Sequence, residues 1–131
     1  MNCQAAFGKL NQNSRRNRIS TPLHELNCVR VNKNDSAAEP DQIRSWITEL
    51  NDWKIGKSDG NDRLTKEFKF GNFMNALTFT NKVGEIAEKQ DHHPVLVTEW
   101  GKVTVTLWTH VIGGLHKNDF ILAAKIDKLY E

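Results

Sequence analysis

Hydrophobic residues follow no period over the first 35 or so positions of this chain, then settle into alternations typical of helices and strands. Ser36 stands where a helix N-cap would, ahead of Ile43, Trp46, Ile47 and Leu50. Spacings of three, one and three put those four on one helical face. Asn51-Asp52 closes this helix, Trp53 follows in extended chain, and Ser58-Asp59-Gly60-Asn61-Asp62 is a turn by composition. Residues 64–70 then alternate as a strand, with Leu64, Lys66, Phe68 and Phe70 on one side, where Lys66 is a poor fit. Gly71-Asn72 opens a second helix that runs to about Lys89. Its apolar positions spread over nearly half the circumference, wider than packing on one partner requires. Phe73, Ala76, Leu77, Val83 and Ala87 are expected on its own sheet, with Phe79 and Ile86 facing a second copy of the chain. Strands near 95–100 and 102–110 meet at Trp100-Gly101-Lys102, Gly113-Gly114 breaks the chain, and a last helix spans about Lys117 to Leu129. The order helix, strand, helix, strand, strand, helix predicts an α+β fold with helices on one face of a small antiparallel sheet.

At 131 residues the chain has the size of one domain and needs neither disulfides nor metal to fold. No apolar run approaches the roughly 20 residues of a membrane span. The net charge of +2 hides an asymmetry. Lys9, Arg15, Arg16 and Arg18 precede the first acid, Glu25, whereas residues 25–131 hold 14 basic and 16 acidic side chains. That body is no phosphate-binding surface, so direct nucleic-acid binding is not expected. Residues 1–36 read as a disordered N-terminal extension that a folded domain, 37–131, does without. Cys3 and Cys28 form no CxxC, which fits a reduced cytoplasmic setting, although the arginine-rich, acid-poor start also resembles an organelle import segment.

Histidine carries the candidate chemistry. His92, His93, His110 and His116 crowd into 25 residues. Pro94 disfavours helix at His93, so both imidazoles of the pair leave the second helix at its C-terminus. The negative end of a helix and the carboxylates of Glu88 and Asp91 suit proton-donating imidazoles. His110 and Trp108 share the polar face of the later strand and would join the pair if that strand runs back beside the helix end. Imidazoles for proton transfer and an indole for stacking suit a planar, hydrogen-bonding heterocycle. Two other readings compete. Lone surface histidines are ordinarily just solvated, and three imidazoles with a carboxylate could bind zinc. Adjacent strand histidines point to opposite faces, however, and no HxH, HxxxH or HExxH spacing is present, so no metal is expected.

The ordered set Glu88-Lys89-Gln90-Asp91-His92-His93-Pro94, Trp100, Trp108-Thr109-His110, Gly114-Leu115 and Asp119 resembles the pterin-4a-carbinolamine dehydratases. The likeness reaches upstream through Phe68-Lys69-Phe70, Phe73 and Phe79 to Trp53, and covers about residues 40–128. It implies a four-stranded antiparallel sheet with helices on one face, in a homodimer or homotetramer. It also implies a hydro-lyase that dehydrates 4a-hydroxytetrahydropterin to quinonoid dihydropterin in tetrahydrobiopterin recycling, with no cofactor. His92, His93 and His110 match the catalytic positions, Asp91 and Thr109 lie beside the substrate, and Trp53, Glu88 and Asp119 lie close to it. Trp108 adds the stacking wall inferred from its strand face. Relatives lacking the histidines act as assembly or binding proteins, and in animals the enzyme doubles as a dimerisation cofactor of a transcription factor. A non-catalytic protein of the same fold is therefore the alternative. One position departs from the family: His116 stands where Thr or Ser caps the last helix. Loss of a hydroxyl cap costs about 1 kcal/mol and would loosen the setting of Asp119.

Overall fold

The computed structural model describes residues 21–131. Four strands, β1 (Lys54–Ser58), β2 (Asn61–Lys69), β3 (Val95–Glu99) and β4 (Lys102–Leu107), form one antiparallel sheet in the order β1-β2-β4-β3. Three helices, α1 (Pro40–Ile47), α2 (Phe73–Gln90) and α3 (Lys117–Tyr130), complete the α+β fold. The sheet's inner face is built by strand alternation. Leu64, Lys66 and Phe68 of β2 pair with Leu107, Val105 and Val103 of β4, and all six are buried. The β3–β4 hairpin turns at Trp100-Gly101, where Gly101 has φ +74° and an added Cβ would meet the Phe70 carbonyl oxygen at 3.0 Å. Only glycine fits there.

Lys66, the misfit of the alternation, reaches from the core face to Asp127 of α3 at 2.8 Å, and both side chains are buried. The same carboxylate accepts from the Trp53 indole at 2.9 Å and from the Asn51 backbone at 3.0 Å. A lysine on the apolar face is thus an internal ion pair, unreadable from a strand whose partner lies 61 residues away.

The four strands expected from the family likeness are present, one of them unannounced by any pattern, and two expectations are corrected. The strand β1, all of it exposed, has no alternation to announce it. Phe79 does not face outward. It is buried against Phe68, Phe70 and Tyr130 at ring-centroid distances of 4.8, 5.1 and 5.8 Å, and Ile86 packs half-buried on the core. This aromatic cluster turns α2 so that Phe73 and Met74 are exposed instead. Finally, the chain packs onto the body well before residue 36. Leu23, in a 3₁₀ turn, is buried, a contribution of about 2 kcal/mol. Its backbone N–H donates to Glu49, and the His24 carbonyl accepts from Lys125 of α3. The extension expected over 1–36 therefore narrows, and its residues 1–20 lie outside the described part. Helix α3 is buried almost all round, from Asn118 to Asp127, because α2, α1 and this N-terminal segment pack on it while Lys66 and Phe68 of the sheet reach its Asp127 and Tyr130. No helix of the described residues is long and apolar enough to cross a membrane.

Candidate active site

The helix α2 ends at Gln90 because Asp91 adopts the left-handed conformation at its C-cap, φ 52° and ψ 42°. The chain then leaves as His92-His93-Pro94, extended into β3. Alternation of an extended segment separates the two imidazoles. His92 Nε2 lies 2.6 Å from Asp119 Oδ1, and His93 Nε2 lies 2.8 Å from Glu88 Oε1 on the outside.

Asp119 is fully buried and its carboxylate is fully used. Oδ1 takes the His92 ring, and Oδ2 accepts from the Thr109 hydroxyl at 2.8 Å and from the His116 backbone N–H at 2.9 Å. A carboxylate offers only acceptors, so Nε2 of His92 carries a hydrogen and Nδ1 is left to the cleft. The last helix is capped after all. His116 Nδ1 accepts from the Asn118 N–H at 3.0 Å while Asp119 reaches back to the His116 N–H, an imidazole doing the work of the missing hydroxyl. That contact needs a neutral ring. Burial pushes the His116 imidazole down from its ordinary value, against Asp119 and Asp35, with His92 adding to the lowering.

His110 does not end the strand as expected, since β4 stops at Leu107. It opens a 3₁₀ turn, His110–Ile112, closed by Gly113 at φ +64° and by bonding between Thr109 and Gly114. The imidazole packs against Trp108 with ring centroids 4.4 Å apart and planes tilted by 53°, and the Arg63 guanidinium lies 3.7 Å from the centre of the same indole. Arg63 was not singled out by sequence. Nothing in β2 marks it, because its partner is 45 residues away on another strand's end.

These elements enclose an open cleft of about 650 Å³. Asp91, His92 and His93 line it from the end of α2, Trp108, Thr109 and His110 from the end of β4, and Asn118 from α3. Six of the sequence-predicted site residues thus meet in one place. Glu88 and Asp119 stand behind it, each holding one histidine. Trp53 does not line it: its indole is buried in the core on Asp127. Residues 28–31 also line the cleft, although no periodicity or motif pointed to them. The Cys28 thiol is pushed up to about 12 by burial first and by Asp119 second, with Lys125 opposing. Among the described residues, no three His, Cys, Asp or Glu side chains are grouped so as to hold a metal ion.

A small α+β domain with a buried histidine–carboxylate pair at the mouth of an aromatic-walled cleft is the class that fold and site define. Residues 36–129 match the family model of pterin 4 alpha carbinolamine dehydratase. A provisionally named pterin-4-alpha-carbinolamine dehydratase of Microcystis aeruginosa is 47% identical over 110 residues, 84% of this chain and 95% of its own length. One of Nitrosococcus oceani is 49% identical over 107 residues, 82% and 95% of the two chains. The chain belongs to the pterin-4a-carbinolamine dehydratase family. Among solved structures, a transcriptional coactivator/pterin dehydratase from Brucella melitensis superposes with TM-score 0.66 at 30% identity, covering 73% of this chain and all of that one. A pterin dehydratase-like protein identified as a RuBisCO assembly factor in the alpha-carboxysome shares the fold, with TM-score 0.52 at 22% identity over 61% of this chain and 90% of its own.

Proposed function

We propose that this chain is a hydro-lyase that converts 4a-hydroxytetrahydropterin to quinonoid dihydropterin and water by acid–base catalysis. The supporting observation is the His92–Asp119 pair, set at a cleft that His93, His110 and Trp108 also line. Loss of water requires a proton on the departing 4a-hydroxyl, cleavage of that C–O bond and removal of a proton from the neighbouring ring nitrogen, whose electron pair forms the C=N bond. Hydroxide leaves poorly and the ring nitrogen is feebly acidic, so imidazoles at both ends address both barriers, at about 10² to 10⁴-fold per group. With Nε2 fixed on Asp119, His92 presents Nδ1 to the substrate. In its imidazolium form, with Nε2–H kept on Asp119, His92 donates from Nδ1 to the departing hydroxyl. His110 acts as a second acid there, and His93 orients the ring or takes its proton. Trp108 offers an aromatic face and Asp91 a polar contact at the rim, while the buried Thr109 hydroxyl holds Asp119 in place.

Self-association belongs to the same reading. Its support is an unpaired edge strand, β3, with Val95, Val97 and the neighbouring Trp100 exposed, and Phe73 and Met74 exposed on α2. Light scattering tests it: a particle of twice or four times the 15.0 kDa chain is expected, and a clean monomer mass removes the idea.

Turnover decides the function. Synthetic 4a-hydroxytetrahydropterin followed by absorbance should lose water faster with the protein, equally with and without chelator. No acceleration would leave the second reading, a non-catalytic assembly or coactivator protein of the same fold. Acceleration abolished by chelator would point to a metal.

A further inference from the structure

Residues 27–31 lie before the span that the family model matches, yet they are fastened to the cleft at both of its helix ends. Gln90, the last residue of α2, accepts the Cys28 N–H at 2.7 Å and donates to the Asn27 side chain at 3.1 Å. Asn118, buried in the first turn of α3, accepts the Val29 N–H at 3.0 Å and donates to the Val29 carbonyl at 2.7 Å. Its carboxamide therefore pairs with Val29 as a neighbouring strand's peptide would. Both fasteners adjoin the chemistry: Gln90 is two residues from His92, and Asn118 precedes Asp119 and donates its own N–H to His116. Upstream, buried Leu23 and the Lys125–His24 bond anchor the segment to the body. Such a segment is ordered at rest and gives the cleft a side that the core domain alone does not supply.

That side carries a distinct chemical group. Arg30 is exposed and is the only lysine or arginine that lines this cleft among the described residues. A guanidinium offers five N–H donors and no acceptor, so it selects oxygen-bearing groups over methyl groups. Resting on the pterin reading of the cleft, we infer that residues 28–31 form a substrate wall and that Arg30 reads the substituent of the pterin ring, favouring a hydroxylated side chain over a simple alkyl one.

The test uses the full chain and a readout independent of turnover. Two oxidised pterins, one with a dihydroxypropyl side chain and one with a methyl group, are titrated against tryptophan fluorescence, which Trp108 in the cleft reports. Arg30→Ala should weaken the dihydroxypropyl compound about tenfold and the methyl compound less than about twofold, with Arg30→Lys between. Gln90→Ala, which frees Cys28 while sparing the core, should weaken both pterins by a similar factor. Equal effects of Arg30→Ala on the two pterins, or none, overturn the inference, as does unchanged binding in Gln90→Ala. A wild type that binds both pterins selectively but dehydrates neither hydroxylated counterpart sinks the dehydratase reading and leaves the wall standing. A wild type that binds neither oxidised pterin overturns the wall, while turnover of the hydroxylated substrate still decides the dehydratase reading.

Discussion

His92 and His93 are neighbours in sequence with the same ring and the same kind of partner, yet they end in opposite environments. The side chain of His92 is 11% exposed on a wholly buried carboxylate, whereas His93 is 58% exposed on a Glu88 that is itself 81% exposed. Extended backbone before Pro94 produces the split, since consecutive side chains leave on opposite sides. The buried pair is fixed by a carboxylate whose other oxygen is held twice, by Thr109 and His116. The exposed pair is free to exchange with water and contributes little. A fixed tautomer suits proton transfer at one atom, and a mobile ring suits contact with a substrate that comes and goes.

The largest expected effect comes from removing what fixes His92. Asp119→Asn keeps the shape but can turn an N–H toward the ring, and kcat should fall by about 10² to 10⁴-fold, as in His92→Ala. The double variant should be no worse than the worse single one, because the two act as a unit. Multiplicative losses would show that they work separately. On the exposed side, His93→Ala should act mainly through KM, by about tenfold, while Glu88→Gln changes either constant less than twofold. A Glu88 variant as damaged as the Asp119 variant would erase the contrast.

A smaller effect concerns the cap that shares Asp119. The folded His116 sits below its ordinary value of 6.5, so the folded state binds fewer protons there than the unfolded chain. The stability this contributes is fully present above 6.5 and is lost as pH falls from there through the lowered folded value. Besides Asp119, the groups acting on it are Asp35 and His92. Melting temperatures between pH 5 and 8 should therefore drop more steeply on the acid side for the natural chain than for His116→Thr. Identical slopes would deny the imidazole its capping role. Smallest is the chemistry of Cys28. With the thiol pushed up to about 12, iodoacetamide at neutral pH should barely label Cys28 in the native protein, although it borders the cleft. Peptide mapping that finds rapid native labelling would contradict its burial.

How much was legible in advance depended on how local each signal was. Helix α2, the β3–β4 hairpin and the meeting of His92, His93 and His110 follow from periodicity, a proline and the family likeness, all of them short-range features. The His92–Asp119 bond spans 27 residues, and no spacing announces it. Strand β1 was invisible because Lys54–Ser58 is exposed throughout and belongs to the sheet by backbone bonding alone. The N-terminal wall was missed for a related reason. Leu23, Leu26 and Cys28 on the core and a handful of hydrogen bonds hold it, and none of these creates a period. The apolar stripe of α2 alone puts Phe79 on the wrong side, because the aromatic cluster of Phe68, Phe70 and Tyr130 sets the rotation of the helix more strongly than that stripe does.

The Lys66–Asp127 contact has a bearing on how this sequence can drift. Asp127 serves three groups at once, from Asn51, Trp53 and Lys66. Replacing either charge alone strands the other in the core, a loss of about 3–5 kcal/mol and a large share of a small domain's stability. Replacing both charges together with apolar residues of similar volume can be nearly neutral provided that Trp53, whose buried indole N–H loses its acceptor, changes with them. The two endpoints are viable and the single steps between them are not. Lys66 and Asp127 should therefore change jointly or not at all as lineages diverge, and Trp53 is expected to follow them.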